Sequence, residues 1–408
     1  MTAGGAQTIV STSASIPRMS SSAHIPGETL PAVSVNGNCE PRFALVREAF
    51  TRNFALHGEV GAAVAVWHDG AIAVDLSGGH ADAARTRRWE PDTLVCCMSV
   101  AKAVTSLACA ALLGRAGGLD LAAPVARYWP EFAAGGKASV EVGWCLDHRA
   151  GLPWLAGELP PHAYADWQSV TRALAAQTPV TPPGVWRGYH VVTMGYLAGE
   201  LVRRVTGISL GRFVRESIAA PLATEFHIGL AAEYAGRCAE FHGNLLGSLL
   251  RPVDAESLPG RCAALLHDAD FNGPGFRGAE IPSINGHCTA RDAARLFGRM
   301  AEIHAGDTSG PLTPQALREA TQLRWAGDEH VLNHTRRMAA GFALGTPGQL
   351  PFGPHLESFG HTGAGGAVAF ADPVSRIGFA YVMNRYYDGP APNPRVKALV
   401  DAVYAALR

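Results

Sequence analysis

Apolar residues recur at helical spacing over 41–57, after which the chain changes period. Val60-Gly61-Ala62-Ala63-Val64-Ala65-Val66-Trp67 reads as a buried strand, His68-Asp69-Gly70 as a turn, and Ala71 to Leu76 as the returning arm of a hairpin. The far end repeats the theme. Gly366 to Ala371 and Ile377 to Met383 read as strands about a turn at Asp372-Pro373, and residues 394–407 as a closing helix. Between them, from Ser99 to about residue 305, helical patterns dominate, broken by loops such as Thr181-Pro182-Pro183-Gly184. Strands at both ends with helices between them predict an α/β (α+β) protein. One sheet would be built from the two termini, and a helical lobe would span roughly 120–300.

Residues 1–38 carry serines at 11, 13, 15, 20, 21 and 22 and only Arg18 and Glu28 as charges, so they read as a flexible leader. No basic start precedes an apolar core there, which is unlike a secretory signal and sets a cytoplasmic expectation. With 48% hydrophobic and 17% charged residues, the chain is of compact globular type. A net charge of −1 gives no electrostatic reason to expect nucleic acid or an anionic membrane as partner. No apolar run approaches the ~20 residues that span a bilayer. The eight cysteines lack Cys-x-x-Cys spacing and the 16 histidines lack His-Glu-x-x-His, so reduced thiols and no metal or other cofactor are expected.

Only three lysines occur, and Lys102 stands three residues after Ser99 at the start of a helix expected to run to Leu113. Residues three apart share a helix face, and a lysine desolvated among apolar neighbours can deprotonate a serine hydroxyl. An ordinary helix start with Ser99 as cap and Lys102 in solvent is the competing reading, although apolar and small residues follow Lys102. Ninety residues on, Pro183-Gly184-Val185-Trp186-Arg187-Gly188-Tyr189-His190-Val191 places Tyr189 on a loop before a helix. Its phenol would relay protons if it met Lys102, and is otherwise a core or lid aromatic. Phe359-Gly360-His361-Thr362-Gly363-Ala364-Gly365-Gly366, at the start of a strand, could offer backbone amides to an oxyanion or be a plain turn. Gly207-Ile208-Ser209-Leu210-Gly211 matches a nucleophile elbow, but a helix precedes it where a strand is needed, so Ser209 reads as a helix cap.

In this order, Ser-x-x-Lys, a Tyr loop and His-Thr-Gly resemble the penicillin-recognising serine enzymes. These are cephalosporinase-type β-lactamases, D-Ala-D-Ala peptidases and family VIII carboxylesterases. The likeness runs from about residue 41 to the C-terminus and takes in Leu146-Asp147-His148-Arg149-Ala150-Gly151-Leu152 and Pro282 to Asp292. It implies an antiparallel sheet flanked by helices with an inserted helical lobe, the whole a single catalytic domain over 39–408. It also implies that Ser99 is the acylated nucleophile, Lys102 its base or relay, and Tyr189 general base and acid. The amides of Ser99 and Ala364 would form the oxyanion hole. His361, Thr362, Gly363, Trp186 and His190 are the candidate substrate contacts; Trp186, like Trp154 and Trp325, could line the groove or be a core residue, and 231–280 would shape the pocket.

Two departures matter. Where the family commonly has Tyr-x-Asn this chain has Tyr189-His190-Val191, and where it has Lys-Thr-Gly this chain has His361-Thr362-Gly363. Both point from antibiotics toward esters. The resemblance therefore implies a serine acyl-transfer enzyme that hydrolyses carboxylic esters, with a small ester or acyl compound as its partner. Transfer to an alcohol or amine is the alternative; β-lactamase or D-peptidase activity ranks below it, and a non-catalytic scaffold last.

Overall fold

The computed structural model describes residues 33–157, 160–243, 254–387, 389 and 392–408. Its main sheet holds β1 (Val35–Cys39), β2 (Gly61–His68), β3 (Ala71–Gly79), β10 (Phe359–Thr362), β11 (Val368–Asp372) and β12 (Ile377–Met383). The hairpin β7 (Trp325–Asp328) and β8 (Thr335–Met338) and the short β9 (Ala343–Leu344) complete it. All pairings are antiparallel, in the order β1-β3-β2-β12-β11-β10-β9-β8-β7, so strands from the two ends of the chain lie side by side at β2 and β12. A smaller sheet joins β4 (Val95–Cys96), β6 (Gly286–Cys288) and β5 (Phe226–Ile228).

The apolar runs are continuous because helices flank the central strands. Every residue of β12 is buried, as are Gly61 to Trp67 of β2. The helix Ala290–Ala305 lies so close to β12 that a side chain at Gly378 would come within 2.1 Å of the Gly298 nitrogen. Trp67 occupies the space a Gly298 side chain would need, and its Nε1–H donates to Glu302 at 2.8 Å. At the other end of the sheet, Phe54 of the helix Ala44–His57 packs over Gly78 and Gly79. Ser209 caps the short helix Leu210–Phe213, accepting from the Arg212 amide, as its sequence context predicted.

Several boundaries differ from expectation. The leader was expected to end at residue 38, but Val35–Cys39 pair with β3, so the sheet starts earlier; residues 1–32 lie outside the described residues. The helix after Ser99 stops at Ala110. Phe359–Thr362 form a strand of their own, so His361-Thr362-Gly363 closes one strand and Val368 opens the next. The expected helical lobe contains two strands of the small sheet, β5 and β6, and β7 to β9 had no counterpart in the sequence reading, since strands of two to four residues leave no alternation to detect. Of the segment 231–280, residues 244–253 lie outside the described residues. No helix among the described residues is long and apolar enough to cross a membrane.

Candidate active site

Ser99 stands on a turn that both sheets hold. Cys97 donates from its amide to Gly286 of β6 at 2.8 Å, and Gly363, at the end of β10, lies against the same turn. A side chain at Gly363 would meet the Cys97 carbonyl at 2.4 Å, so only glycine fits. Met98 adopts φ +50°, a left-handed conformation that costs a non-glycine residue about 1 kcal/mol or more. The helix Val100–Ala110 then starts with Ser99 at its N-cap, and its first-turn geometry brings Lys102 back to the serine.

Lys102 is fully buried, and its Nζ lies 3.1 Å from Ser99 Oγ, 2.7 Å from the Val191 carbonyl and 3.0 Å from the Ser283 carbonyl. A neutral amine has two protons and one lone pair. With both protons donated to the two carbonyls, the lone pair is left facing the Ser99 hydroxyl. Burial with no carboxylate partner holds the amine well below its ordinary pKa of 10.5. The solvated-lysine reading is thereby excluded.

Tyr189 is brought to the same point by its loop. Its ring centroid lies 4.8 Å from Lys102 Nζ, edge-on to His148 at 4.8 Å and stacked on His361 at 6.0 Å. Burial raises its phenol pKa, and a hydrogen bond with Ser99 offsets this only in part, so the resting group is a neutral phenol. Glu329 anchors the loop: its buried carboxylate accepts from the Tyr189 amide at 3.1 Å and from the amides of Val331 and Leu332. Gly188 is required too, because Trp186 fills the volume of any side chain there.

The turn after β10 presents the second amide. Gly366 donates to the Gly363 carbonyl at 3.1 Å, and because N–H and C=O of one trans peptide point oppositely, the Ala364 amide faces away from the turn. Neither the Ser99 nor the Ala364 amide has an acceptor among the described residues, and both residues border one cavity. The turn is braced from behind. Arg395, buried, donates to the Gly365 carbonyl at 2.8 Å and pairs with buried Glu59 at 2.9 Å, and Tyr381 hydrogen-bonds the same carboxylate.

The cavity, about 150 Å³, is lined by Ser99, Tyr189, His361, Thr362, Gly363 and Ala364 together with His148, Trp325, Glu329, Leu332, Arg336, Met338, Ala343 and Tyr386. Two expected contacts are corrected. His190 is fully buried outside this lining, its Nδ1 donating to the Gly188 carbonyl at 2.6 Å and its Nε2 accepting from the Leu152 amide at 3.2 Å. Both ring nitrogens are spent on the backbone. Trp186 stacks on His330 at 5.5 Å and does not reach the cavity either. Of the other tryptophans, Trp325 lines it and Trp154 lines a separate cavity. His361 is neutral, its pKa lowered to about 3 chiefly by burial, with Nδ1 donating to the Thr362 carbonyl at 2.6 Å. It does not replace the lysine it stands for.

Sequence reasoning missed the carbonyls of Val191 and Ser283, since main-chain acceptors carry no side-chain signature. It also passed over Arg336, on a strand too short to recognise, and Glu329, in the loop that follows β7. His148 sits inside a phrase that the reading did single out.

A family model described as Beta-lactamase matches residues 46–403. The esterase/beta-lactamase LipL of Mycobacterium tuberculosis (strain ATCC 25618 / H37Rv) is 34% identical over 86% of this chain and 83% of its own length. Among solved structures, a penicillin-binding protein homologue from Caulobacter crescentus is 39% identical with a TM-score of 0.83, covering 91% of this chain and 100% of that one. A family VIII carboxylesterase is 34% identical with a TM-score of 0.83 and the same coverage.

Proposed function

Because the chain belongs to the beta-lactamase family, we propose that it hydrolyses carboxylic esters through an acyl-enzyme on Ser99, with residues from β1 onward acting as one catalytic domain. The observation that carries this reading is the placement of Lys102 Nζ between two carbonyls and the Ser99 hydroxyl. Such an amine is held well below its ordinary pKa and aimed at the hydroxyl. Ser99 Oγ gives its proton to that lone pair and bonds to the ester carbonyl carbon. The carbonyl oxygen becomes an oxyanion that the free Ser99 and Ala364 amides can receive.

Collapse breaks the bond to the alcohol oxygen, which takes the Tyr189 phenol proton, and the phenolate recovers one from the Lys102 ammonium. Water then repeats the cycle, giving its proton to the relay and its oxygen to the acyl carbon. Acid leaves and Ser99 regains its proton. The neutral state of Tyr189 at rest supports its part as acid, and the neutral His361 supports an ester over a β-lactam as substrate. An alcohol or amine could accept the same acyl group, but relatives named esterases, including EstB of Burkholderia gladioli, favour water.

Mixing the protein with 4-nitrophenyl butyrate should release a burst of about one nitrophenol per chain if deacylation is slower than acylation. A fluorophosphonate should add once, on the peptide containing Ser99, by mass spectrometry. An adduct elsewhere, or none, removes the proposal.

A further inference from the structure

One charged side chain in the cavity has no part in the acyl-transfer steps. β8 pairs with β7 in the register Gly327 to Arg336 and Trp325 to Met338. Alternation along β8 puts Arg336 and Met338 on the cavity side with Trp325. Arg337 points the other way, where its guanidinium is bound by the carbonyls of Gly345 at 2.6 Å and Leu356 at 3.0 Å. Arg336 is only partly exposed, yet among the described residues no carboxylate forms an ion pair with it. By contrast, Arg149, Arg299, Arg324 and Arg395 are comparably or more deeply buried and each pairs with an acid.

The side-chain contact of Arg336 is the Nδ1 of His334, 3.2 Å from Nη2. Glu329 lines the same cavity, but its oxygens are committed to the amides of Tyr189, Val331 and Leu332. A second donor is also unfilled. His148 accepts at Nδ1 from the His190 amide at 3.2 Å, which leaves the proton of the neutral ring on Nε2, and that buried atom has no partner. Besides the two amides reserved for the oxyanion, the wall therefore offers a guanidinium with no carboxylate partner and an imidazole N–H with no acceptor. A buried donor without an acceptor is costly, and an anionic ligand would supply one to His148 and a counter-charge to Arg336.

We propose that Arg336, with His148 Nε2–H in the same cavity, forms an anion subsite, so that the preferred substrates are esters carrying a carboxylate. This rests on the ester-hydrolase reading and narrows it to a substrate class. The positive charge absent at His361 is thereby supplied from a different strand. The carboxylate can belong to the acyl half or the alcohol half, and two matched pairs separate these sources. For the acyl half, the mono-4-nitrophenyl ester of glutarate is compared with 4-nitrophenyl valerate. For the alcohol half, 4-acetoxybenzoate is compared with its methyl ester.

In at least one pair, Arg336→Ala should lower kcat/KM for the anionic member by about 30-fold, the worth of one charge-assisted contact, and for the neutral member by less than about threefold. Arg336→Lys should recover part of the loss, and the neutral esters report that each variant is folded. Loss of equal size on all four esters would mean that Arg336 acts through Tyr189, and overturns the proposal. So does turnover by the unmodified protein with neither pair losing its anionic member selectively. Failure of the unmodified protein on all four esters would instead bring down the ester-hydrolase reading, and this inference with it.

Discussion

Ser99→Ala is expected to lower kcat on 4-nitrophenyl butyrate by about 10⁴-fold or more, and Lys102→Met by nearly as much. The double variant should be no worse than either single one. A nucleophile and its base act as a unit: without the Oγ there is nothing to deprotonate, and without the amine the hydroxyl stays a poor nucleophile. Additive losses in the double variant would show that Lys102 acts elsewhere. The same arrangement sets the sign of the pH response. Burial disfavours the charged amine, so the folded pKa of Lys102 lies well below 10.5, and the neutral base becomes available as pH rises through that lower value. Tyr189 is shifted upward from 10, so its acid form is not lost over the same range. The profile of kcat/KM should therefore rise to a plateau at a pH well under 10.5. A rise centred near 10.5 would contradict a desolvated base.

Glu59→Gln should lower stability by about 3–5 kcal/mol, which for a chain of this size is a fall in Tm of about 4–6 °C. The substitution leaves the Arg395 guanidinium buried without its carboxylate, among groups that offer it only carbonyls. Restoring an apolar pair, Glu59→Leu with Arg395→Met, should recover much of the Tm, because removing both charges ends the desolvation cost. Activity separates the two roles. The double variant keeps the fold but frees the Gly365 carbonyl that Arg395 holds at 2.8 Å, so the Ala364 amide loses its bracing and kcat should fall while KM changes little. Recovery of both Tm and kcat would show that the pair serves stability alone. Thermal unfolding followed by circular dichroism, alongside ester kinetics, reads both quantities.

Much of the candidate site was legible in the sequence, because its groups depend on local spacing. Ser99 and Lys102 are one helical turn apart, and His361-Thr362-Gly363-Ala364 is a continuous strand end and turn. Tyr189 required more, since only the order of the three motifs linked it to the others. The expectations that failed did so where the partners were remote. His190 follows Tyr189 directly and was expected to touch substrate, yet backbone atoms at 152 and 188 claim its ring. Trp186 was expected to line the groove, and instead covers Gly188 and stacks on His330.

The amino-acid pattern by itself determined the apolar central strands, the placing of Ser99 and Lys102 one turn apart and the Ser209 cap. These follow from periodicity and from contacts within a few residues. Only the tertiary structure decided the burial and partners of Lys102, because the two carbonyls beside its amine lie 89 and 181 positions away. It also decided which face of β8 carries Arg336, since a short strand inherits its register from the neighbours that pair with it. Burial and long-range pairing set the charge state of a site, and neither is written in the spacing of its residues.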